Sequence, residues 1–183
     1  MERGKEGKEN RMDWTRKAAV GVDIGGTNLK LGLVAADGKL LDFETHPLQK
    51  CGNQNADVSA SCGAVASFIE KCGGNKAVSG IGAACPGILN ASEGIVKYAV
   101  NLGWKNLDLA QRMEQALGFE VAMIGDAAAA AFGEKYATAK KLSNYLYIGI
   151  GTGVGASLVV DNEFYKGDNG EALNLGHCSV IPD

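Results

Sequence analysis

Two glycine-rich turns with the same pattern of flanking segments constrain the fold of this sequence more than any other feature. The first is the segment Asp23-Ile24-Gly25-Gly26-Thr27, and the second runs from Gly149 to Gly155. Each turn lies between two apolar runs. In both cases, the apolar run after the turn is followed by a polar turn and by a third short segment typical of a strand. A pattern of strand, glycine turn, strand, tight turn and strand that occurs twice predicts an internal duplication.

The glycines of these turns also indicate a ligand. Because glycine has no Cβ, the backbone N–H groups of such a turn can come close to a phosphate, and the hydroxyls of Thr27 and Thr152 add donors. Two hairpins of this kind that face each other would hold the phosphates of a nucleotide from both sides. This arrangement favours a phosphotransferase.

The composition narrows the class of protein. A chain of 183 residues with 46% hydrophobic residues forms one large domain or two small ones. Its net charge of −3 argues against a broad nucleic-acid-binding surface, and no apolar run approaches the ~18 residues of a membrane span. The 5 cysteines are odd in number and have no CxxC spacing, which favours reduced thiols in a cytoplasmic protein.

The order of the predicted elements is that of an α/β protein. Residues 1–17 are charged and lack the apolar stretch of a secretion signal, so we expect a flexible tail. The elements expected after it are three antiparallel strands over Ala18 to Phe43, a helix over Asp57 to Lys71, a strand over Val78 to Ala84, a helix over Leu107 to Leu117, a strand over Glu120 to Ile124, an alanine-rich helix over Ala127 to Ala137 and a second three-stranded unit over Tyr145 to Tyr165. We predict an N-terminal α/β lobe over residues 18–140 and a partial second lobe, which carries the second glycine hairpin, over residues 141–183.

Two carboxylates stand where predicted strands end. Asp23 precedes the first glycine turn, where it could hold Mg²⁺ beside the phosphates or cap a turn. Asp126 stands at a strand-to-helix junction, where it could be the N-cap of the helix. The same junction points the carboxylate toward the ligand edge of the sheet, where it could accept the proton of an attacking hydroxyl.

Further polar residues are expected near this edge. Pro86 and Gly87 form a loop after the strand over Val78 to Ala84, at the end of the sheet where ligands bind in α/β proteins. Asn101, with two donors and an acceptor, suits a neutral polyol, and Trp104 could line a wall beside it. The alternative is that Asn101 satisfies loop backbone and that Trp104 belongs to the core.

These residues together resemble the ROK family of bacterial sugar kinases and sugar-responsive repressors, which belongs to the actin-like ATPase (ribonuclease H-like) superfold. The resemblance extends from about Ala18 to the last residue. It depends on motifs in the family's order, which are VDIGGTNLKLGLV, the PGIL loop, the NLGW segment, GDAAAAAFGE, GIGTGVGASLV and the terminal LGH. It implies a kinase that uses ATP and Mg²⁺ to phosphorylate a hexose or an N-acyl hexosamine, usually as a homo-oligomer.

The resemblance also implies a role for each residue that matches a family motif. Asp126 matches the catalytic base. The residues that match the two phosphate motifs are Asp23, Gly25, Gly26, Thr27, Gly151, Thr152, Gly153 and Gly155. The positions expected near the sugar are Pro86, Gly87, Asn101, Gly125, Asn174 and His177.

Three departures from the family pattern bear on activity. The family usually has Asn immediately before the catalytic Asp and Glu three residues before the terminal His, both in contact with the sugar; here these positions are Gly125 and Asn174. The lost carboxylate removes a charge-assisted hydrogen bond worth roughly 1.5–3 kcal/mol. His177 matches a zinc ligand whose cysteine partners would lie beyond Asp183, so we expect no zinc in this chain, and the remaining lobe of the family fold is expected to be missing.

Three functions therefore remain open. The first is a catalytic sugar kinase. The second is a catalytically weak or inactive module of the same fold that binds sugar or nucleotide, and the third is an actin-like scaffold without turnover. Direct DNA binding is not expected, because residues 1–17 are too few for a helix pair of the kind found in repressors. An incomplete second lobe would expose apolar strand faces around Val154 to Val160, so we expect oligomerisation or poor solubility.

Overall fold

A five-stranded sheet is the framework of the structure, a computed structural model that describes residues 18–137, 142–151, 153–167 and 175–178. Its strands are β1 (Ala18–Ile24), β2 (Asn28–Val34), β3 (Leu40–Pro47), β4 (Val78–Cys85) and β8 (Val121–Gly125), in the order β3-β2-β1-β4-β8. The first three are antiparallel, whereas β4 and β8 continue the sheet parallel to β1. Alternate residues of β1 and β2 are apolar and buried, which is the period expected of strands with one face on a core. The predicted antiparallel hairpins of this unit are therefore present.

Two helices cover the buried face of this sheet. Helix α1 (Gln54–Lys71) begins three residues before its predicted start, because the side chain of Asn53 accepts a hydrogen bond from the backbone N–H of Ala56 at 2.9 Å and caps it. It buries an apolar stripe that includes Val58, Val65 and Phe68. Helix α2 (Leu109–Leu117) ends, as expected, at Gly118 in the left-handed conformation with φ of 74°.

A small antiparallel sheet that the sequence did not indicate lies between β4 and α2. It consists of β5 (Ile88–Asn90), β6 (Ile95–Ala99) and β7 (Trp104–Asp108), in the order β5-β6-β7. Leu107, which we expected to begin the second helix, pairs instead with Val96 of β6. The predicted start of α2 was wrong for this reason.

The second three-stranded unit is present and packs on a helix. Helix α3 (Asp126–Ala137) leads to β9 (Tyr145–Ile150), β10 (Val154–Val160) and β11 (Glu163–Phe164), which form a sheet in the order β11-β10-β9. The hydroxyl of Tyr145 donates to the carbonyl of Ala131 at 2.9 Å, and the rings of Phe132 and Phe164 meet edge to face at 4.1 Å. One face of this sheet is therefore held against α3.

The internal duplication is visible in the pairing of strands. In each unit, the strand before the glycine turn pairs antiparallel with the strand after it, as β1 does with β2 and β9 with β10. The other edge of β1 carries β4, whereas in the described part of the chain β9 has no neighbour on its other edge. The division at residue 140 remains a prediction, and the described residues contain no helix long and apolar enough to cross a membrane.

Candidate active site

The carboxyl ends of three parallel strands meet at one edge of the five-stranded sheet. Asp23 of β1 lies opposite Ala84 of β4, and Cys85 of β4 lies opposite Gly125 of β8. Because β1, β4 and β8 run in the same direction, the residues that follow them emerge on the same side. The structure thus brings together the first glycine turn, the Pro86-Gly87 loop and Asp126.

Asp23 forms an ion pair that the sequence alone did not indicate. Its Oδ2 lies 3.0 Å from the Nζ of Lys30, and the two side chains are 40% and 50% exposed. Lys30 is the cross-strand partner of Asp23 in the β1–β2 hairpin, so the strand register itself places the cation there. Without that register, Lys30 reads as a solvated charge. The hairpin register was the signal that could have identified the pair.

The first glycine turn closes tightly on itself. The N–H of Gly25 donates to the carbonyl of Asn28 at 2.9 Å, and a Cβ at position 25 would lie 3.0 Å from that same oxygen. A Cβ at Gly26 would lie 3.6 Å from the Cβ of Asn101, so the turn touches the residue expected near the sugar. Thr27 is exposed. A side chain at position 25 would therefore crowd the hydrogen bond that closes the turn, which explains the glycine there.

Asp126 is the first residue of α3, and its side chain is exposed. Its Oδ1 accepts a hydrogen bond from the N–H of Ala127 at 2.8 Å. An N-cap would accept instead from a donor two or three residues further on. The carboxylate is therefore open to solvent at the edge of the sheet, as a proton acceptor for a bound hydroxyl must be.

Cys85 lies at the end of β4, between the strands that lead to Asp23 and Asp126. Its thiol is fully buried at the end of β4, and burial raises its pKa to about 12, with smaller contributions from the charges of Asp126 and then Asp23. Both carboxylates thus act on the same buried sulfur from the two neighbouring strands. The thiol remains protonated at neutral pH, so Cys85 is not a nucleophile.

The second glycine hairpin packs against the first turn of α3. The N–H of Gly151 donates to the carbonyl of Gly153 at 2.9 Å. A Cβ at Gly155 would lie 3.2 Å from the Cβ of Ala127, the residue after Asp126. Gly176 of the terminal LGH segment packs against the backbone of Val154, which brings that segment to the same hairpin.

Asn101 and Trp104 have different environments. Asn101 lies in a short 3₁₀ turn (Val100–Leu102), is exposed, and its carbonyl accepts a hydrogen bond from the Nζ of Lys50 at 3.0 Å. Trp104 is 1% exposed, and its Nε1 donates to the carboxylate of Asp57 at 3.0 Å. Of the two interpretations of Trp104, the core one is correct, because a buried indole cannot line a sugar pocket.

The Pro86-Gly87 loop is tightly packed, whereas Gly125 has open space beside it. Gly87 adopts a φ of +103° and packs against the carbonyl of Tyr98 and against Ala99, so Pro86-Gly87 forms a tight loop over the end of β6. Gly125 is partly buried, and a Cβ there would meet no atom within 4 Å. Thr152, Asn174 and the side chain of His177 lie outside the part of the chain that the structure describes. Within the described part, no group of three or more His, Cys, Asp or Glu residues could hold a metal ion.

Comparison with known proteins places this geometry in a family. The sequence profile described as "ROK family" matches residues 19–183. A glucokinase of Streptomyces coelicolor is 34% identical over 165 residues, which is 90% of this chain and 50% of that protein. A putative xylose repressor of a Caldicellulosiruptor species is 30% identical over 164 residues, 88% of this chain and 41% of that protein.

A solved structure agrees with these sequence matches. The ROK family glucokinase of Streptomyces griseus, in complex with glucose and AMPPNP, superposes with a TM-score of 0.81 and 31% identity, over 91% of this chain and 52% of that one. The predicted α/β fold is confirmed by this match. The chain spans about half the length of the glucokinases it matches. On the family profile, the sequence identities and the shared fold, this chain belongs to the ROK family.

Proposed function

We propose that this chain carries the nucleotide- and sugar-binding residues of an ATP-dependent sugar kinase. The reaction would transfer the γ-phosphate to a hydroxyl of a hexose or N-acyl hexosamine. The proposal is supported by the first glycine turn and Asp126 following parallel strands at one edge of the sheet, and by Gly155 of the second glycine hairpin packing against Ala127, the residue after Asp126. The glucose and AMPPNP bound by the Streptomyces griseus enzyme support both ligand classes.

The roles follow from where each group lies. Asp126 would take the proton of the sugar hydroxyl while that oxygen forms a bond to the γ-phosphorus and the bond to the bridging oxygen of ADP breaks. Proton acceptance of this kind contributes roughly 10²–10⁴-fold to a rate. Asn101 would orient the sugar, because its side chain is exposed next to Gly26 of the phosphate turn. Backbone N–H groups of the two glycine turns, other than those of Gly25 and Gly151 that donate within the turns, would donate to the phosphates.

The residues present also fit a magnesium ion. Asp23 offers a carboxylate that is 40% exposed at the strand end, an oxygen ligand of the type that Mg²⁺ shares with phosphate. When bound, Mg²⁺ would neutralise charge on the phosphates. Lys30, paired with Asp23, would hold that carboxylate in one orientation at the entrance to the glycine turn.

The substitution Asp126→Asn tests this function. We expect it to leave the affinity for Mg·AMPPNP unchanged and to remove sugar-dependent release of ADP, because an amide cannot accept the proton. ADP release with a panel of hexoses, compared with a blank without sugar, measures the activity. Release by the wild-type chain that does not exceed the blank for any sugar would refute catalysis by this chain.

A second candidate is a sugar- or nucleotide-binding module without turnover. It is favoured by Gly125, which replaces a side chain expected to contact the sugar, and by the similarity to a putative xylose repressor. Calorimetry with sugar and nucleotide added separately distinguishes the two. A binding module should take up sugar without needing ATP and should show no ADP release.

A further inference from the structure

A buried carboxylate outside the predicted site connects helix α1 to two other segments of the chain. Asp57 lies in the first turn of α1 and is 5% exposed. Its Oδ1 accepts from the backbone N–H of Cys51 at 2.5 Å, and its Oδ2 accepts from the indole N–H of Trp104 at 3.0 Å. A carboxylate without donors would be costly at this depth, so these two hydrogen bonds fix the positions of both partners.

The two donor residues, Cys51 and Trp104, are each close in sequence to a residue that fixes the position of Asn101 or to Asn101 itself. Cys51 follows Lys50, whose Nζ donates to the carbonyl of Asn101 at 3.0 Å. Trp104 comes three residues after Asn101 and begins β7. A further contact from α1 supports this end of the segment, because the backbone N–H of Lys105 donates to Oε1 of Gln54 at 3.0 Å. Helix α1 therefore restrains the Asn101 turn from both sides.

The restrained turn reaches the phosphate loop. The Cβ of Asn101 lies 3.6 Å from where a Cβ of Gly26 would be. Trp104 is buried and cannot contact a ligand directly, and the same holds for Asp57. Any influence of these two residues on binding must pass through the backbone that carries Asn101.

We propose that Asp57 is a positioning residue that holds the Asn101 turn against the first glycine turn, with Trp104 as its partner. This role rests on the proposed function, in which Asn101 contacts the sugar. The positioning role predicts low mobility of residues 100–103 in the free protein. It also predicts that the affinity for sugar depends on the carboxylate of Asp57, although that carboxylate does not contact the sugar.

The test compares Asp57→Asn with Ser61→Ala. In Asp57→Asn an NH₂ group replaces one carboxylate oxygen, so it must face either the N–H of Cys51 or that of Trp104, and one contact is lost in either orientation. Ser61 is buried one turn further along α1, and its hydroxyl donates to the backbone carbonyl of Asp57 at 2.9 Å. Ser61→Ala therefore removes a neighbouring side-chain hydrogen bond of the same helix but leaves both contacts of the carboxylate intact.

Amide hydrogen exchange and calorimetry with glucose are the measurements. For Asp57→Asn we expect faster exchange at residues 100–103 and roughly fivefold to tenfold weaker glucose binding, with the affinity for Mg·AMPPNP unchanged. Ser61→Ala should change neither. If Asp57→Asn does not fold, Trp104→Phe removes the indole donor and should give the same local increase in exchange.

The outcomes separate this proposal from the proposed function. Exchange at residues 100–103 that is the same in Asp57→Asn and Ser61→Ala overturns the positioning role. A wild-type chain that binds no sugar contradicts the proposed function instead, and the exchange data still decide whether Asp57 restrains the turn.

Discussion

Gly125 is the position at which a single substitution should improve sugar binding. It ends β8 immediately before Asp126, where the family usually carries Asn. A Cβ at this position would meet no atom within 4 Å, and the φ of Gly125 is not in the left-handed region. Gly125→Asn therefore introduces a Cβ without a collision and without backbone strain.

The expected magnitudes follow from these two observations. Replacing glycine where the backbone accepts any residue reduces the entropy of the unfolded chain, so the free energy of unfolding should rise by about 0.4–1 kcal/mol. A new hydrogen bond between the introduced side-chain amide and a sugar hydroxyl should add about 0.5–1.5 kcal/mol to binding, which is roughly a twofold to twelvefold gain in affinity.

Calorimetric titration of glucose into the wild type, Gly125→Ala and Gly125→Asn provides the assay. Gly125→Ala carries the same backbone gain but no amide, so it should be more stable than the wild type and bind glucose equally well. Gly125→Asn should match its stability and bind more tightly. Equal affinities for the Ala and Asn variants would refute the inference that position 125 faces the sugar.

Three other features give predictions: the Gly87 loop, the Cys85 thiol and the outer face of the second glycine hairpin. Gly103→Ala, at a φ of +70° with no atom within 4 Å of the new methyl, should lower the free energy of unfolding by about 1–2 kcal/mol. Gly87→Ala should lower it more, because its φ is +103° and its methyl would lie 2.8 Å from the Cα of Ala99. Equal losses for the two variants in urea unfolding would contradict this packing. Folding raises the pKa of the Cys85 thiol from 9.0 to about 12. The protonated thiol therefore contributes fully to the free energy of unfolding below pH 9, and this contribution should fall by about 1.4 kcal/mol per pH unit above pH 9. Cys85→Ala should lack this component when unfolding is followed from about pH 8 to 10.5, and parallel pH profiles of the two proteins would be the contrary result. Leu146, Ile148 and Ile150 are 49%, 51% and 85% exposed on one face of β9, so Ile148→Lys should reduce self-association in light scattering, whereas a wild-type chain that is already a monodisperse monomer would show that this face does not associate.

The sequence predicted the parts of the fold that local patterns determine. Alternating apolar residues identified β1 and β2, and the glycine turns identified the repeated unit. The start of α1 is also encoded locally, because Asn53 is a recognisable N-cap, although the predicted start of this helix lies three residues too late. The expected place of Asp126 near the ligand edge followed from its position at a strand-to-helix junction.

Contacts between distant segments could not be predicted in the same way. The strands of the small sheet are short, and Leu107 fits a helical period as well as it fits its pairing with Val96. The hydrogen bond between Asp57 and Trp104 joins residues 47 positions apart, and no local pattern encodes such a pair. Whether Trp104 belongs to the core or to a pocket therefore required the structure.

Amide exchange of the whole chain with and without Mg·AMPPNP most directly tests whether both glycine turns serve one nucleotide. We predict that nucleotide slows exchange in both turns, at residues 24–27 and at residues 149–155, in a single saturable step. Protection confined to one of the two turns, or to neither, would contradict a shared triphosphate site.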